Sequence, residues 1–370
     1  MNAVTDREKE ILDIIRKDPM ISQKDIAEML GITRSSVAVH IANLMKKGAV
    51  KGKGYVLDDE SYVTVIGGCN MDISGSPYGK LSGRDSNPGS VTFSPGGVGR
   101  NIAENLARLG LPVKLISVVG DDESGRRLLE ETRAAGVDVS HIRKITGEST
   151  GIYLSVLDED KDMYIAVSSM EIYDKLDTSY LLDKMPILER SRVSVFDANL
   201  SYDVIETALG MAQKNMKYLD TVSITKALRI KDLIGRFDCI KPNRLEAEAI
   251  SGISAEGHSG LLKNADHFHE IGVSKVFISL GPDGTFFSDG TDRGICRALK
   301  VDIRSATGAG DAFLAGAVYA ETEGFDIRDA AIFGTGASLI NLASSDTINK
   351  NTSVESINKI MEGNYEINRI

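Results

Sequence analysis

The chain has 370 residues, 42% hydrophobic and 26% charged, with 43 Lys and Arg against 53 Asp and Glu. That length suits one large domain or two with a sizeable core, and a net charge of −10 excludes a whole-chain binder of nucleic acid or anionic membrane. The scattered Cys69, Cys239 and Cys296 form no CxxC pair or disulfide framework, the charged N-terminus offers no apolar signal core, and no apolar run approaches membrane-spanning length, so a reducing cytoplasm is the expected compartment.

Residues 1–57 carry ten Lys or Arg and seven Asp or Glu, so this segment is +3 and the remainder −13. A basic piece on an acidic body suggests two jobs. Ile11, Leu12, Ile14 and Ile15 give a first helix over Arg7 to Arg16. Ser22 is placed to cap a second, with Ile26, Ala27 and Leu30 inward, and Gly31 breaks it. Thr33 caps a third running to about Lys47, buried through Val37, Ile41 and Leu44. Lys51 to Leu57 reads as a short hairpin. This order resembles the winged helix-turn-helix DNA-binding modules of bacterial regulators. The third helix carries Arg34, Ser35, Ser36, His40, Asn43, Lys46 and Lys47 and no acid, a face suited to a major groove, with Lys51 and Lys53 of the wing suited to phosphates. A docking or dimerisation module with a solvated basic face is the alternative. Asp58-Asp59-Glu60-Ser61 is an acidic linker, which places one domain over 1–57 and a second over 62–370.

From Tyr62 onward, strand patterns alternate with helical ones. Val63–Gly67, Val113–Val119, Val193–Asp197, Tyr218–Val222, Phe237–Ile240 and Lys275–Leu280 read as buried strands. This predicts an α/β fold, a doubly wound and mostly parallel sheet with ligands at the C-terminal ends of its strands. Residues 72–94 and 151–167 fit poorly: they alternate apolar and polar and contain Gly, with Pro in the first. Gly96-Gly97-Val98-Gly99-Arg100-Asn101 opens an amphipathic helix, and Lys241-Pro242-Asn243-Arg244-Leu245-Glu246 follows a short apolar run. The spacing of Asn243 and Glu246 puts both on one face of a helix. Near the end, Ala306-Thr307-Gly308-Ala309-Gly310-Asp311 runs into an apolar helix. Unpaired N–H groups at such a helix start attract anions, and a carboxylate in the first turn stands ready to take a proton. The arrangement suits phosphoryl transfer, with Gly308, Ala309 and Gly310 as the anion hole and Asp311 as the base. No G-x-x-x-x-G-K-S/T motif offers another phosphate cradle.

The Gly96, Lys241 and Ala306 motifs, in this order, resemble the PfkB/ribokinase family of sugar and nucleoside kinases from about Tyr62 to the C-terminus. Asp85-Ser86-Asn87-Pro88-Gly89, Pro95 to Asn101, Lys241 to Glu248 and Asp220 to Lys226 are similar to the pseudouridine kinases within it, which usually have Pro where this chain has Thr221. The resemblance implies ATP-dependent phosphorylation of a ribosyl nucleoside on its 5′-hydroxyl, most naturally pseudouridine. It implies a small β-sheet lid from 72–94 and 151–167 that often pairs with that of a second subunit, hence a homodimer. It makes Asp72, Asn87, Gly97, Asn101 and Lys226 candidates for the substrate. Asn87 reads equally as a turn residue; a helix cap is the alternative for Asn101 and a solvated lysine the alternative for Lys226. Asn243 and Glu246 would organise Mg²⁺ through water, and Ser279, Gly281, Thr307 and Asn341 would line the ATP side. Many relatives carry an activating-K⁺ Asp two residues before the position of Thr307. This chain has Ser305 there, and Asp302 is no evident replacement, so K⁺ dependence stays open. Other readings are a kinase of a different nucleoside or pentose, or a ligand-sensing transcription regulator built on a kinase body.

Overall fold

The computed structural model describes residues 4–50, 61–300, 303–305, 307–344 and 346–370. Contacts divide the chain into two units, Met1–Ser61 and Tyr62–Ile370.

The first unit holds helices Asp6–Lys17, Gln23–Leu30 and Arg34–Lys46. Each start has a side-chain cap: Thr5 in a reciprocal box with Glu8, Ser22 on the Asp25 N–H, and Thr33 on the Ser36 N–H. Gly31, at φ +63°, closes the second helix in the left-handed conformation. Ile11, Ile15, Ile26, Val37, Ile41 and Leu44 form a small closed core. Lys47, expected on the DNA face, donates instead to buried Glu8 at 2.7 Å. That bond holds the Glu8 carboxyl below its usual range and ties the first helix to the third. The wing, with Lys51 and Lys53, lies outside the described residues.

The second unit is built on a ten-stranded sheet. Its spatial order is Tyr365–Arg369, Arg293–Ala298, Thr285–Ser288, Lys275–Ser279, Cys239–Lys241, Met216–Asp220, Val193–Asp197, Val63–Ile66, Val113–Gly120 and Ile142–Ile145. The last seven are parallel, and the first three extend the sheet antiparallel. Successive residues of these strands face opposite layers. Val276 and Ile278 join one hydrophobic core while Phe277 joins the other. The sheet is therefore buried on both sides, as parallel strands require. Chain order reverses at Val63–Ile66, which lies between Val113–Gly120 and Val193–Asp197. Such a switch point opens a crevice at the strands' C-terminal ends.

A separate four-stranded sheet contains Gly89–Gly96, Asn70–Pro77, Ile152–Leu157 and Met163–Ser169 in that order. It falls on the two stretches that alternate in the sequence. Its register puts Asp72, Ser94, Tyr153 and Ser168 on one face, and Ile73, Phe93, Leu154 and Val167 on the other. The first face is polar and the second apolar. Among the described residues no helix is long and apolar enough to cross a membrane, and all three cysteines are free and buried.

Candidate active site

Every parallel strand on one side of the switch point ends in a polar or charged residue: Asp197, Asp220, Lys241 and Ser279. Asp197 is fully buried. Its Oδ2 accepts from the N–H groups of Gly68 and Gly99, both at 2.7 Å, and its Oδ1 accepts from the Asn199 N–H at 2.9 Å. One carboxylate thus pins the end of the first strand to the start of helix Val98–Arg108. Burial pushes its pKa up against these bonds. The packing demands glycine at position 97, where φ is +98° and an added Cβ would lie 2.5 Å from the Gly68 carbonyl oxygen.

Asp311 sits in the first turn of helix Ala309–Glu323, behind Gly308 at φ +78°. The Asn101 amide donates to its Oδ2 at 2.8 Å. Burial, then the neighbouring Asp220, raises its pKa to about 7; the Asn101 bond and the Lys241 ammonium pull the other way. Lys241 is buried, ion-paired with Asp220 at 3.3 Å, and beside Gly310, where an added Cβ would come 3.2 Å from its Nζ. Burial disfavours that ammonium, but Asp220, Asp311 and Glu246 outweigh it and hold its pKa above the ordinary value. A helix N-terminus with a captive ammonium beside it fits an anionic group such as the phosphates of ATP.

Asn341 differs from expectation. It is fully buried, donates to the Thr307 carbonyl at 2.8 Å and accepts from the Asn349 N–H, so it braces the glycine turn rather than lining an open cleft. The Thr307 N–H donates to Ser305 Oγ at 3.3 Å, and Asp302 lies outside the described residues.

Asn243 and Glu246 also differ from the sequence reading. Asn243 does not share a helix face with Glu246; it is the exposed N-cap of helix Arg244–Ser251 and forms a capping box with a buried Glu246. The Asn243 amide donates to Glu246 Oε1 at 2.8 Å, and Thr221 Oγ1 donates to Oε2 at 2.6 Å. Behind Thr221 the backbone is strained: Val222 has φ +62°, and the Ser223 N–H closes onto the Thr221 carbonyl at 2.6 Å. Among the described residues no group of three or more His, Cys, Asp or Glu forms a metal cage. A lone buried carboxylate with one amide suits Mg²⁺ that keeps its waters. Ser279 pairs with Asn243 as an isolated bridge, and Gly281, at φ +63°, opens the turn that follows.

At the other end, Asp72 is half-buried and accepts from the Asn70 amide at 2.7 Å, while Tyr173 donates to Asn70 at 3.2 Å. Burial raises the Asp72 pKa to about 6, against the Asn70 bond and the Arg100 charge. Lys226 donates to Asn199 at 2.6 Å, and burial lowers its pKa. It is therefore not a freely solvated lysine. Asn87 bonds only within its own loop, to Ser82 and Asp85, which is turn chemistry.

The structure thus gathers Asp72, Gly97, Asn101, Asp311 and the Gly308 turn around strand ends, and leaves Asn87 in its loop. Sequence reasoning gave Lys241, Asp220 and Thr221 no role, and named Asp197 as the end of a strand. The available signal was a charged residue closing a buried apolar strand. A cavity of about 330 Å³ lined by Gly120, Asp122, Arg126 and Lys144 contains none of these residues, so the site is defined by its chemistry rather than by cavity size.

Comparison with known proteins bears on both units. Residues 60–353 match the pfkB family of carbohydrate kinases, and residues 5–51 match a winged helix-turn-helix DNA-binding family. The uncharacterized sugar kinase YeiI of Escherichia coli K12 is 38% identical over 95% of this chain and 98% of its own length. The pseudouridine kinase of the same organism is 36% identical over 82% of this chain and 97% of its own. A carbohydrate kinase from Agrobacterium tumefaciens superposes with a TM-score of 0.74 at 27% identity, over 84% of this chain and 100% of that one.

Proposed function

The chain belongs to the pfkB family of carbohydrate kinases, which phosphorylate sugar or nucleoside hydroxyls with ATP, and we propose that its own substrate is a ribosyl nucleoside, pseudouridine, phosphorylated on the 5′-hydroxyl. The observation that carries the reading is the placement of Asp311: a buried carboxylate, near neutrality in pKa, fixed by Asn101 at the head of a helix beside Lys241. As the phosphoryl group passes to the 5′-oxygen, Asp311 takes the hydroxyl proton. The N–H groups of residues 308–310 and the Lys241 ammonium hold the charge on the phosphoryl oxygens. Asp72 accepts from ribose hydroxyls, with Asn101 and Gly97 beside it and Lys226 and Asn199 toward the base. Asn243 and Glu246 would hold Mg²⁺ through water, and the bound ion would supply neutralisation of phosphate charge. Ser279, Gly281 and Thr307 line the ATP side, with Asn341 bracing the turn.

Two further parts of the reading rest on other observations. The match of residues 5–51 to a DNA-binding family, with an exposed Arg34 and Ser35 at the head of an acid-free helix, supports DNA binding by the first unit. The apolar outer face of the small sheet supports a homodimer through that face.

The test is ATP-dependent phosphorylation of pseudouridine, uridine, inosine and ribose, with product mass and attachment site measured. Pseudouridine is expected to be favoured by at least tenfold in kcat/KM, because a site built to bond a base rejects a ligand that leaves those groups unpaired. Preference for another nucleoside would discard the substrate and keep the mechanism. Nucleoside binding without turnover on any of them would instead favour a ligand-sensing regulator.

A further inference from the structure

The buried guanidinium of Arg100 has no part in the roles above. We propose that Arg100 is a positioning residue that decides which end of the Asn101 amide faces Asp311, an inference that rests on the reading of Asp311 as the base. An asparagine amide has a donating and an accepting end of nearly equal size, and its neighbours choose between them. Here Arg100 Nη1 donates to Asn101 Oδ1 at 3.3 Å, and Asn101 Nδ2 donates to Asp311 Oδ2 at 2.8 Å. Arginine has donors only. Turning the amide over would set its NH₂ against the guanidinium and its oxygen against the carboxylate. That orientation is tolerable only when Asp311 carries a proton, which is the state that cannot act as a base.

The guanidinium is itself held fast. Its Nε donates to Thr132 Oγ1 at 3.2 Å, its Nη2 ion-pairs with Glu104, and Arg108 Nε holds the other oxygen of Glu104 at 2.9 Å. Arg100 and Glu104 are both only 4% exposed. The Asn105 amide fixes the backbone of Asn101 through a 2.9 Å bond to its carbonyl. The same Arg100 Nη1 also reaches the Pro95 carbonyl at 3.4 Å, a three-centre bond that ties the end of the lid strand to the same group. The charged groups facing Asp311 are Asp220, Lys241 and Asp197, each from a different strand, and none of them contacts Arg100 through a hydrogen bond. Arg100 also lowers the pKa of Asp72, so the readout must be one in which Asp72 is already occupied.

That readout is the pH profile of kcat at saturating nucleoside, for wild type, Arg100→Met and Arg100→Lys. Arg100→Met is expected to move the acidic limb up by about one pH unit, which lowers kcat about fivefold at pH 7 and restores it nearly to wild type at pH 9. Arg100→Lys keeps a donor and keeps the limb. An unmoved limb in Arg100→Met, or a kcat lowered by one factor at every pH, would overturn the proposal. If Arg100→Met loses its fold by circular dichroism, Arg100→Met/Glu104→Gln removes both buried charges and is read in the same way. Asp311→Asn is measured alongside: unchanged turnover there would remove the base itself, an outcome distinct from any movement of the limb.

Discussion

Asp311 and Asp72 show how far a site residue can work against the fold that holds it. Both carboxyls are raised from 3.8, to about 7 and about 6, chiefly by burial. In the unfolded chain each ionises near pH 4. Between that pH and the folded value the native state keeps a proton that the unfolded state has lost. Stability therefore falls as pH rises from about 4 to about 7 for Asp311, and from about 4 to about 6 for Asp72. Asp311→Asn and Asp72→Asn are accordingly expected to raise Tm at pH 8 and to leave it nearly unchanged at pH 4, where a protonated acid and an amide are alike. Equal shifts at both pH values, or a lower Tm at pH 8, would contradict the burial argument. The catalytic cost is separate. Asp311→Asn should lower kcat by about 10²- to 10⁴-fold with little change in nucleoside affinity, as loss of a general base does. Asp311 was legible in the sequence because a glycine turn before an apolar helix is a local pattern. Its partners were less so: Lys241 and Asp220 come from other strands, and only the sheet brings them to Asp311.

At the scale of elements, period decided what could be read. Six of the seven parallel strands and the first three helices were legible from apolar spacing, Ile142–Ile145 was not, and the small sheet was expected from its alternation only together with the family resemblance. The antiparallel strands Thr285–Ser288, Arg293–Ala298 and Tyr365–Arg369 were not. Phe286 and Phe287 are adjacent and buried in opposite layers, so that strand shows no alternation. Tyr365–Arg369 is polar and mostly exposed. The Asn243–Glu246 pair was misplaced for a related reason: a spacing of three fits a capping box as well as a helix face, and only the extended backbone of Asn243 separates them. The small sheet has its own consequence. Val91, Phe93, Leu154, Ile165 and Val167 share one face and are all exposed in the single chain. An apolar face of that extent on one side of a small mixed sheet calls for a cover. With a second copy as cover, Phe93→Asp/Val167→Asp should sediment as a monomer where the parent is a dimer at micromolar concentration. Because Asp72 lies on the opposite face of the same sheet, the variant should also raise the nucleoside KM more than it lowers kcat. An unchanged sedimentation coefficient would remove this face from the interface.

The whole molecule joins two units of opposite charge, +3 over residues 1–57 and −13 over the rest. The alignment to YeiI spans 95% of this chain and so takes in both units, whereas pseudouridine kinase aligns over 97% of its own length with 82% of this chain. The aligned length of pseudouridine kinase is about that of the second unit, and the N-terminal unit matches a DNA-binding family of its own. If the N-terminal unit binds DNA, the exposed head of helix Arg34–Lys46 is the described surface suited to it, while Lys47 is engaged by Glu8. Binding of the full chain to a duplex selected from random sequence should weaken steeply between 50 and 200 mM salt. Arg34→Ala should then separate two modes of contact. An arginine on a guanine edge costs about 1–3 kcal/mol on removal and relaxes preference at that base, whereas one on phosphate weakens all sequences alike and lowers the salt slope by about one. Turnover of the kinase body should be unchanged in either case. Adding nucleoside at fixed salt completes the experiment: a shift in DNA affinity makes the chain a regulator that senses its own substrate, and no shift makes it two activities on one polypeptide.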